Sequence, residues 1–363
     1  MDTQQSDGVA VKQSADAKRT PSPEQAAIEE GVTNTQIPFI SHSSDEDNDS
    51  ALGDDESVAS SSISLTDSIF EYRALHGRTY QVSKSTEYWG PNDEEQNEGL
   101  DLAHALITML MGDQLFEAPL ERTPARILDV GTGTGIWALD VADTHPGASI
   151  VGTDISPIQP NWVPPNCSFY IEDAQLDWTF EAASFDFVHI RAMYGSIDDW
   201  GRLYRQAYDA LVPGGWIENF EFTIQLHSDA PHVRDDPDHI FKRWAAVFYE
   251  AADRLNRTLR IGNNGTIRRL LHEAGFENVT QKYYQVPVGG WSSDPTYRKI
   301  GLYNLAFMEQ SLEGFALFLL RDIMKWEYER VQLFLMEMRS EMRNTKIRPF
   351  YLMTNAFARK PVG

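Results

Sequence analysis

The chain is 363 residues long and 42% hydrophobic, enough to bury one large core. Its 54 acidic residues against 31 basic ones give a net charge of −23, and no basic stripe runs through it, which disfavours a nucleic-acid substrate. A single cysteine, Cys167, excludes an internal disulfide framework and suits a reducing compartment; entering a strand-like run, it reads as packing rather than as a nucleophile. The opening stretch MDTQQSDGVAVKQSADAKR has no apolar h-region, and the longest strongly apolar run, FALFLL at 315–320, is too short to span a bilayer. A cytoplasmic location without a membrane segment is expected, with the nucleus as the alternative.

Residues 1–68 hold fourteen acidic residues and only Lys12, Lys18 and Arg19 as basic ones, and are rich in Ser and Gln. Such a composition cannot bury enough apolar surface to offset its ordering entropy, so a disordered acidic tail is expected ahead of a domain over 69–363. Its serines lie among acids as acidophilic-kinase sites do, and as serines in any solvated acidic tail do. Order is expected from Ile69–Tyr80. A helix follows, with Asn92 or Asp93 as N-cap, Glu94 and Glu95 at the positive end of its dipole, and Leu100, Ala103, Leu106, Ile107 and Leu110 on one face.

From Arg126 short apolar runs alternate with helical stretches. Strands are expected at 126–130, 149–154, 168–173, 185–191 and 215–222, with helices at 135–145 and 198–211. That alternation predicts an α/β fold, a doubly wound, mostly parallel sheet with helices on both faces. Helical insertions are expected at about 227–265 and 290–347, around the pair GTIRRLLHEAGF and NVTQKYYQVPV, and a last strand-like run at 348–360 closes the chain. Late insertions in such a fold hang over the carboxyl edge of the sheet, where ligands bind.

The first strand runs into Gly131-Thr132-Gly133-Thr134-Gly135, a turn whose backbone a ligand can approach closely. A nicotinamide-binding loop looks similar, but its sixth position would be small, and here it is Ile136. Three acids decide between them: Asp129 in the strand end, Asp154 ending the second strand and Asp173 ending the third. Each alone reads equally well as a strand-end turn residue. Together they suit a ligand with a cationic amino-acid end, a ribose diol and an adenine amine, which is S-adenosylmethionine. Asp154 accepts from the ribose hydroxyls, Asp173 from the exocyclic amine, and Asp129 helps to hold the ammonium, directly or through water.

The stretches ILDVGTGTGIWALDVAD, VGTDISPIQPNWVPPN, FYIEDAQLDWTF, SFDFVHIRAMYGSIDDW and QAYDALVPGGWIE resemble the class I S-adenosylmethionine-dependent methyltransferases. With YWGPNDEEQNEGLDLAH and EAGFENVTQKYYQVPVGGW they are similar, more narrowly, to the fungal LaeA-like group linked to secondary metabolism. The resemblance runs from about residue 70 to the end. It implies a seven-stranded Rossmann-like sheet of order 3-2-1-4-5-7-6 with strand seven antiparallel, and a cofactor capped by the N-terminal helix and Tyr88. The expected cofactor-binding set is Tyr88, Asp129, Gly131, Thr132, Gly133, Gly135, Asp154, Ile155, Asp173, Ala174 and Arg191.

Methyl transfer is an in-line displacement, so a base is needed only where the acceptor must lose a proton. His189 is the candidate base, with Arg191 and Tyr194 beside it. His189 shares strand parity with Phe185 and Phe187, which equally predicts a buried histidine lining the cofactor pocket. Asp198 and Asp199 stand where a helix N-cap is expected. No D/N-P-P-Y follows the fourth strand, no glutamate pair clamps a guanidinium, and no His/Cys cluster suggests a metal. A largely apolar pocket beside His189, under a lid of the inserted helices, is therefore expected to take a small-molecule acceptor. A regulator working through a protein partner at the acidic tail, and a cofactor-binding protein without transfer activity, are the alternatives.

Overall fold

A computed structural model describes residues 72–82 and 88–363. The tail expected over 1–68, and Ile69–Glu71 of the expected entry into order, lie outside them. A short hairpin, β1 (Tyr72–Leu75) and β2 (Arg78–Gln81), leads to helix α1 (Glu94–Leu110), whose N-cap is Asp93, its carboxylate accepting from Gln96 N.

The sheet is built around β3 (Arg126–Val130), which is apolar on both faces apart from Asp129 and so lies at its centre. It pairs in parallel with β4 (Ser149–Asp154) on one side and β6 (Phe185–Arg191) on the other. Register puts Ile127 beside Phe187 and Leu128 beside Val188, and the two pairs face opposite ways. Ile127 and Phe187 pack under helix α2 (Ile136–Thr144) with Trp137, Val141 and Phe357, while Leu128 and Val188 join the larger core on the other face. Cys167 sits in the first cluster, its thiol pushed up to about 11 by burial, a packing residue and no nucleophile.

Outward from β4 lies the edge strand β5 (Cys167–Ile171); beyond β6 come β7 (Leu211–His227), β9 (Phe350–Arg359) and β8 (Glu277–Pro287). β9 runs antiparallel to both neighbours, so the order is that of the expected 3-2-1-4-5-7-6 sheet. Helix α3 (Trp200–Ala210) is amphipathic, burying Trp200, Leu203, Tyr204, Ala207 and Ala210 at helical spacing, and Asp199 caps it through Arg202 N. Asp198 instead pairs with Arg257.

Two strand boundaries differ clearly from expectation. β5 ends at Ile171, two residues before Asp173, because its partner β4 ends opposite it at Asp154. β7 is twice the expected length, since β9 continues its pairing past the carboxyl edge of the sheet to His227, across an irregularity between Phe222 and Leu226. The inserted helices are α4 (Pro231–Arg234) and α5 (Ile240–Arg254), then α7 (Pro295–Leu317) and α8 (Tyr328–Met342), with α6 (Thr266–Glu273) before β8. Between α7 and α8 the chain widens into a π-helical turn, Phe318–Ile323. Phe318, Leu319 and Leu320 are buried in succession there, which no single face of an α-helix allows. α7 packs on α1, and α5 on β7, so both insertions cover the carboxyl edge. Among the described residues no helix is long and apolar enough to cross a membrane.

Candidate active site

The loop after β3 turns through three left-handed glycines, Gly131 (φ 70°), Gly133 (φ 59°) and Gly135 (φ 83°). A Cβ on Gly131 would lie 2.1 Å from Met193 Sδ, and one on Gly135 would lie 2.5 Å from the Phe169 ring. Two of the glycines therefore admit the chain's own side chains as well as a turn. Gly135 is also the N-cap of α2 and brings no side chain to its first-turn amides. Thr132 N donates to Thr153 O, which ties the loop to the end of β4.

Asp154 completes the tie. Its carboxylate accepts from Gly133 N (2.8 Å), Ser156 N (2.9 Å) and Ile155 N. Burial pushes it up to about 6 against the pull of those amides. A carboxylate has about four acceptor positions, so at least one is left for a ligand. Gln159 Nε2 donates to Gly133 O from below. The phenol of Tyr88 is raised by burial and by the nearby charge of Asp154, which places Tyr88 at the same end of the loop.

Asp129 does not open into this space. It is 3% exposed, with Oδ2 accepting from Thr132 Oγ1 (2.6 Å) and Oδ1 bonded to His189 Nδ1 (2.7 Å). His189, 2% exposed, lies flat on the Trp137 indole at 3.6 Å between centroids. Burial and the Arg191 charge push its pKa down despite Asp129, so it stays neutral at neutral pH. Arg191 is held down to about 10 by burial and remains charged; its Nη1 donates to His104 Nδ1 (3.1 Å). An arginine only donates, so His104 carries its proton on Nε2 and gives it to Asp140 (2.8 Å). That relay fastens α1 to α2 above the sheet.

The apolar pocket exists, but His189 does not line it, which corrects the expected position. It lies past the end of β6 and against the last residues of β7, between Trp89, Tyr194 and Phe222 on one side and Trp244, Phe307 and Phe315 of the inserted helices on the other. With its wall buried in aromatic rings, the geometry gives His189 a supporting place beneath the loop, not a base's place beside an acceptor. Under the pocket, Glu221 accepts from Met193 N (3.1 Å) and Tyr194 N (3.0 Å), and burial pushes it up to about 8.

The expected residues thus divide. Tyr88, Gly131, Thr132, Gly133, Gly135, Asp154 and Ile155 meet at one loop. Asp173 accepts from Gln175 N in a turn beyond β5, and Ala174 O receives Trp178 Nε1. Sequence reasoning missed His104, Trp137, Gln159 and Glu221. A histidine among Ala103, Leu106 and Ile107 on the buried face of α1 was the one visible signal.

The family model described as a methyltransferase domain matches residues 102–281. Methyltransferase pytC of Aspergillus terreus is 37% identical over 304 residues, 83% of this chain and 92% of that one. The secondary metabolism regulator laeA of Aspergillus flavus is 34% identical over 293 residues, 79% of this chain and 77% of that one. Among solved structures, a Haemonchus contortus phosphoethanolamine N-methyltransferase in complex with phosphomonomethylethanolamine and S-adenosylhomocysteine aligns with a TM-score of 0.48 at 17% identity, covering 78% of this chain and 62% of its own.

Proposed function

Since the chain belongs to the S-adenosylmethionine-dependent methyltransferases, we propose that its acceptor is a small molecule and that the transfer is a tailoring step in fungal secondary metabolism. The observation that carries this reading is the apolar aromatic pocket, whose lining residues Trp89 and Tyr194 directly follow in the chain Tyr88, beside Asp154, and Met193, whose sulfur lies against Gly131. An extended peptide needs an open polar trench instead.

S-adenosylmethionine supplies an electrophilic methyl group when bound. Asp154, with its remaining acceptor capacity, would hold the ribose hydroxyls, and Asp173 and Ala174 would hold the adenine. The uncapped amides of α2 and the loop would hold the amino-acid end, and Tyr88 would cap the ribose. Asp129, His189 and Trp137 are positioning residues that hold Thr132 and the loop from beneath. The inserted helices exclude water while donor and acceptor align. Within this reading the protein works in the cytoplasm on a single domain over 69–363.

Labelled S-adenosylmethionine, incubated with the protein and with extracts of cells lacking the gene, tests the proposal. Label in an organic-soluble product is expected. Label confined to protein would overturn it and favour the second reading, a nuclear regulator contacting a partner through the acidic tail, which the likeness to the laeA regulator supports.

A further inference from the structure

Arg191, the last residue of β6, carries a charge that the fold leaves without a counter-ion. It follows Ile190, which pairs with Val130, so it stands beside the entry to the glycine loop. Helix α1 closes over the same spot. Its Leu100 lies 3.4 Å from the place a Cβ on Gly133 would take, Asp101 accepts from Thr134 Oγ1 (2.8 Å), and His104 accepts from Arg191 Nη1 (3.1 Å). The half-buried guanidinium thus lies between this helix and the loop. Among the described residues it makes no other hydrogen bond and no ion pair. The three carboxylates whose charge it feels are committed elsewhere: Asp129 to Thr132 and His189, Asp140 to His104, and Glu218 to the amides of Glu117 and Ala118. A largely desolvated guanidinium without an anion is costly, and its planar fork of donors matches a carboxylate.

Asp154 meets the loop at Gly133, and Arg191 stands at its entry. S-adenosylmethionine has a single anionic group, the carboxylate of its amino-acid end. Resting on the cofactor site proposed above, we propose that Arg191 receives that carboxylate and that His104, oriented by Asp140, is the positioning residue that aims the guanidinium at it. The loop amides can share the carboxylate but bring no full charge to it. His104 can accept from Arg191 only while its Nδ1 carries no proton. Burial and the Arg191 charge push its pKa down against the pull of Asp140, which keeps the ring neutral. With Nε2–H given to Asp140, the ring cannot turn without losing both bonds, so Nη1 is fixed and the other N–H groups are left for the ligand. A nucleoside lacking the carboxylate is thereby discriminated against.

S-adenosylhomocysteine and its decarboxylated analogue, which has hydrogen in place of the carboxylate, serve as probes. Each is titrated by calorimetry into the full-length protein and its variants. Both affinities are measured on one variant, so their ratio cancels any general loosening of the site. The preference for S-adenosylhomocysteine is expected to fall about tenfold or more in Arg191→Met. It should also fall in His104→Leu and be largely kept in His104→Asn, whose amide oxygen can replace Nδ1 as the acceptor. If Arg191→Met does not fold, His104→Leu decides, since the same ratio must fall there. An unchanged ratio in Arg191→Met overturns the proposal and leaves the guanidinium to an anionic group on the acceptor. A ratio that falls there but not in His104→Leu overturns the part given to His104. A wild type that binds both probes equally overturns the carboxylate subsite alone. A wild type that binds neither overturns the cofactor site itself, and this proposal with it.

Discussion

Because Asp154 accepts three backbone amides and is still pushed up to about 6, its protonation competes with ligand binding inside an accessible pH range. A ribose hydroxyl donates more strongly to the carboxylate than to the protonated acid. Affinity for S-adenosylhomocysteine is therefore expected to be flat above about pH 7 and to weaken below about 6, by about tenfold in all once Asp154 is protonated. Calorimetry checks this, and Asp154→Asn should remove the pH dependence. Asp154→Ala loses hydrogen bonds worth about 1.5–3 kcal/mol each to a charged group and releases Gly133 and Ser156 as well. Its dissociation constant should rise at least tenfold, and an unchanged one would remove Asp154 from the site. Tyr351 carries the opposite kind of residue-level cost. Its unpartnered hydroxyl is held in the folded state at the expense of stability, so Tyr351→Phe is expected to raise the denaturant midpoint, by about 1 kcal/mol of unfolding free energy. A lower midpoint would mean that the hydroxyl already has a partner.

At the scale of elements, β7 carries two buried carboxylates. Glu218 accepts from Glu117 N, Ala118 N and Asn355, and is pushed up to about 7; Glu221 holds the loop after β6 and is pushed up to about 8. Both folded pKa values lie above the unfolded value near 4.5, so the folded state binds protons that the unfolded chain has released. Their stabilisation is complete below about pH 4.5 and is lost as pH rises through 7 and 8. Melting temperature should fall across that window, and Glu221→Gln should flatten the upper part of the fall, above pH 7, where Glu218 no longer contributes. Thermal melts at several pH values decide; a slope unchanged by the substitution would show that Glu221 is ionised throughout.

What the sequence discloses of these elements follows from how locally each is determined. β3, β4 and β6 match their expected bounds because they are buried over most of their length and read as short, largely apolar runs between turn signals. The length of β7 depends on β9, more than a hundred residues later, and the π-helical turn on which neighbours surround Phe318. Asp154 and the glycines were legible since they are consecutive with their strands. The engagement of Asp129 was not, because His189 lies sixty positions away. The pocket was expected in kind but misplaced, for its walls come from residues 89, 194, 222, 244, 307 and 351.

For the molecule as a whole, charge is the property that the described fold leaves unused. Fourteen acidic residues against three basic ones in 1–68 give that stretch about half of the −23. S-adenosylmethionine carries a net positive charge at its sulfonium, whereas S-adenosylhomocysteine is a neutral zwitterion. A negative field therefore attracts the donor and is indifferent to the product. The proposed domain begins at 69, and the loop, the acids and the pocket all lie after it. A chain starting at residue 69 is accordingly expected to bind S-adenosylhomocysteine within about twofold of the full chain, since contacts rather than long-range field set that affinity. Its association with S-adenosylmethionine should be slower than the full chain's at low salt, and the difference should vanish near 0.5 M salt, where the Debye length is only about 4 Å. Stopped-flow fluorescence across a salt series measures both ligands on both chains. If the shortened chain loses affinity for the neutral product, residues 1–68 belong to the folded site and the boundary at 69 is misplaced. If the two chains show the same salt dependence for the cationic donor, the acidic stretch does not steer it.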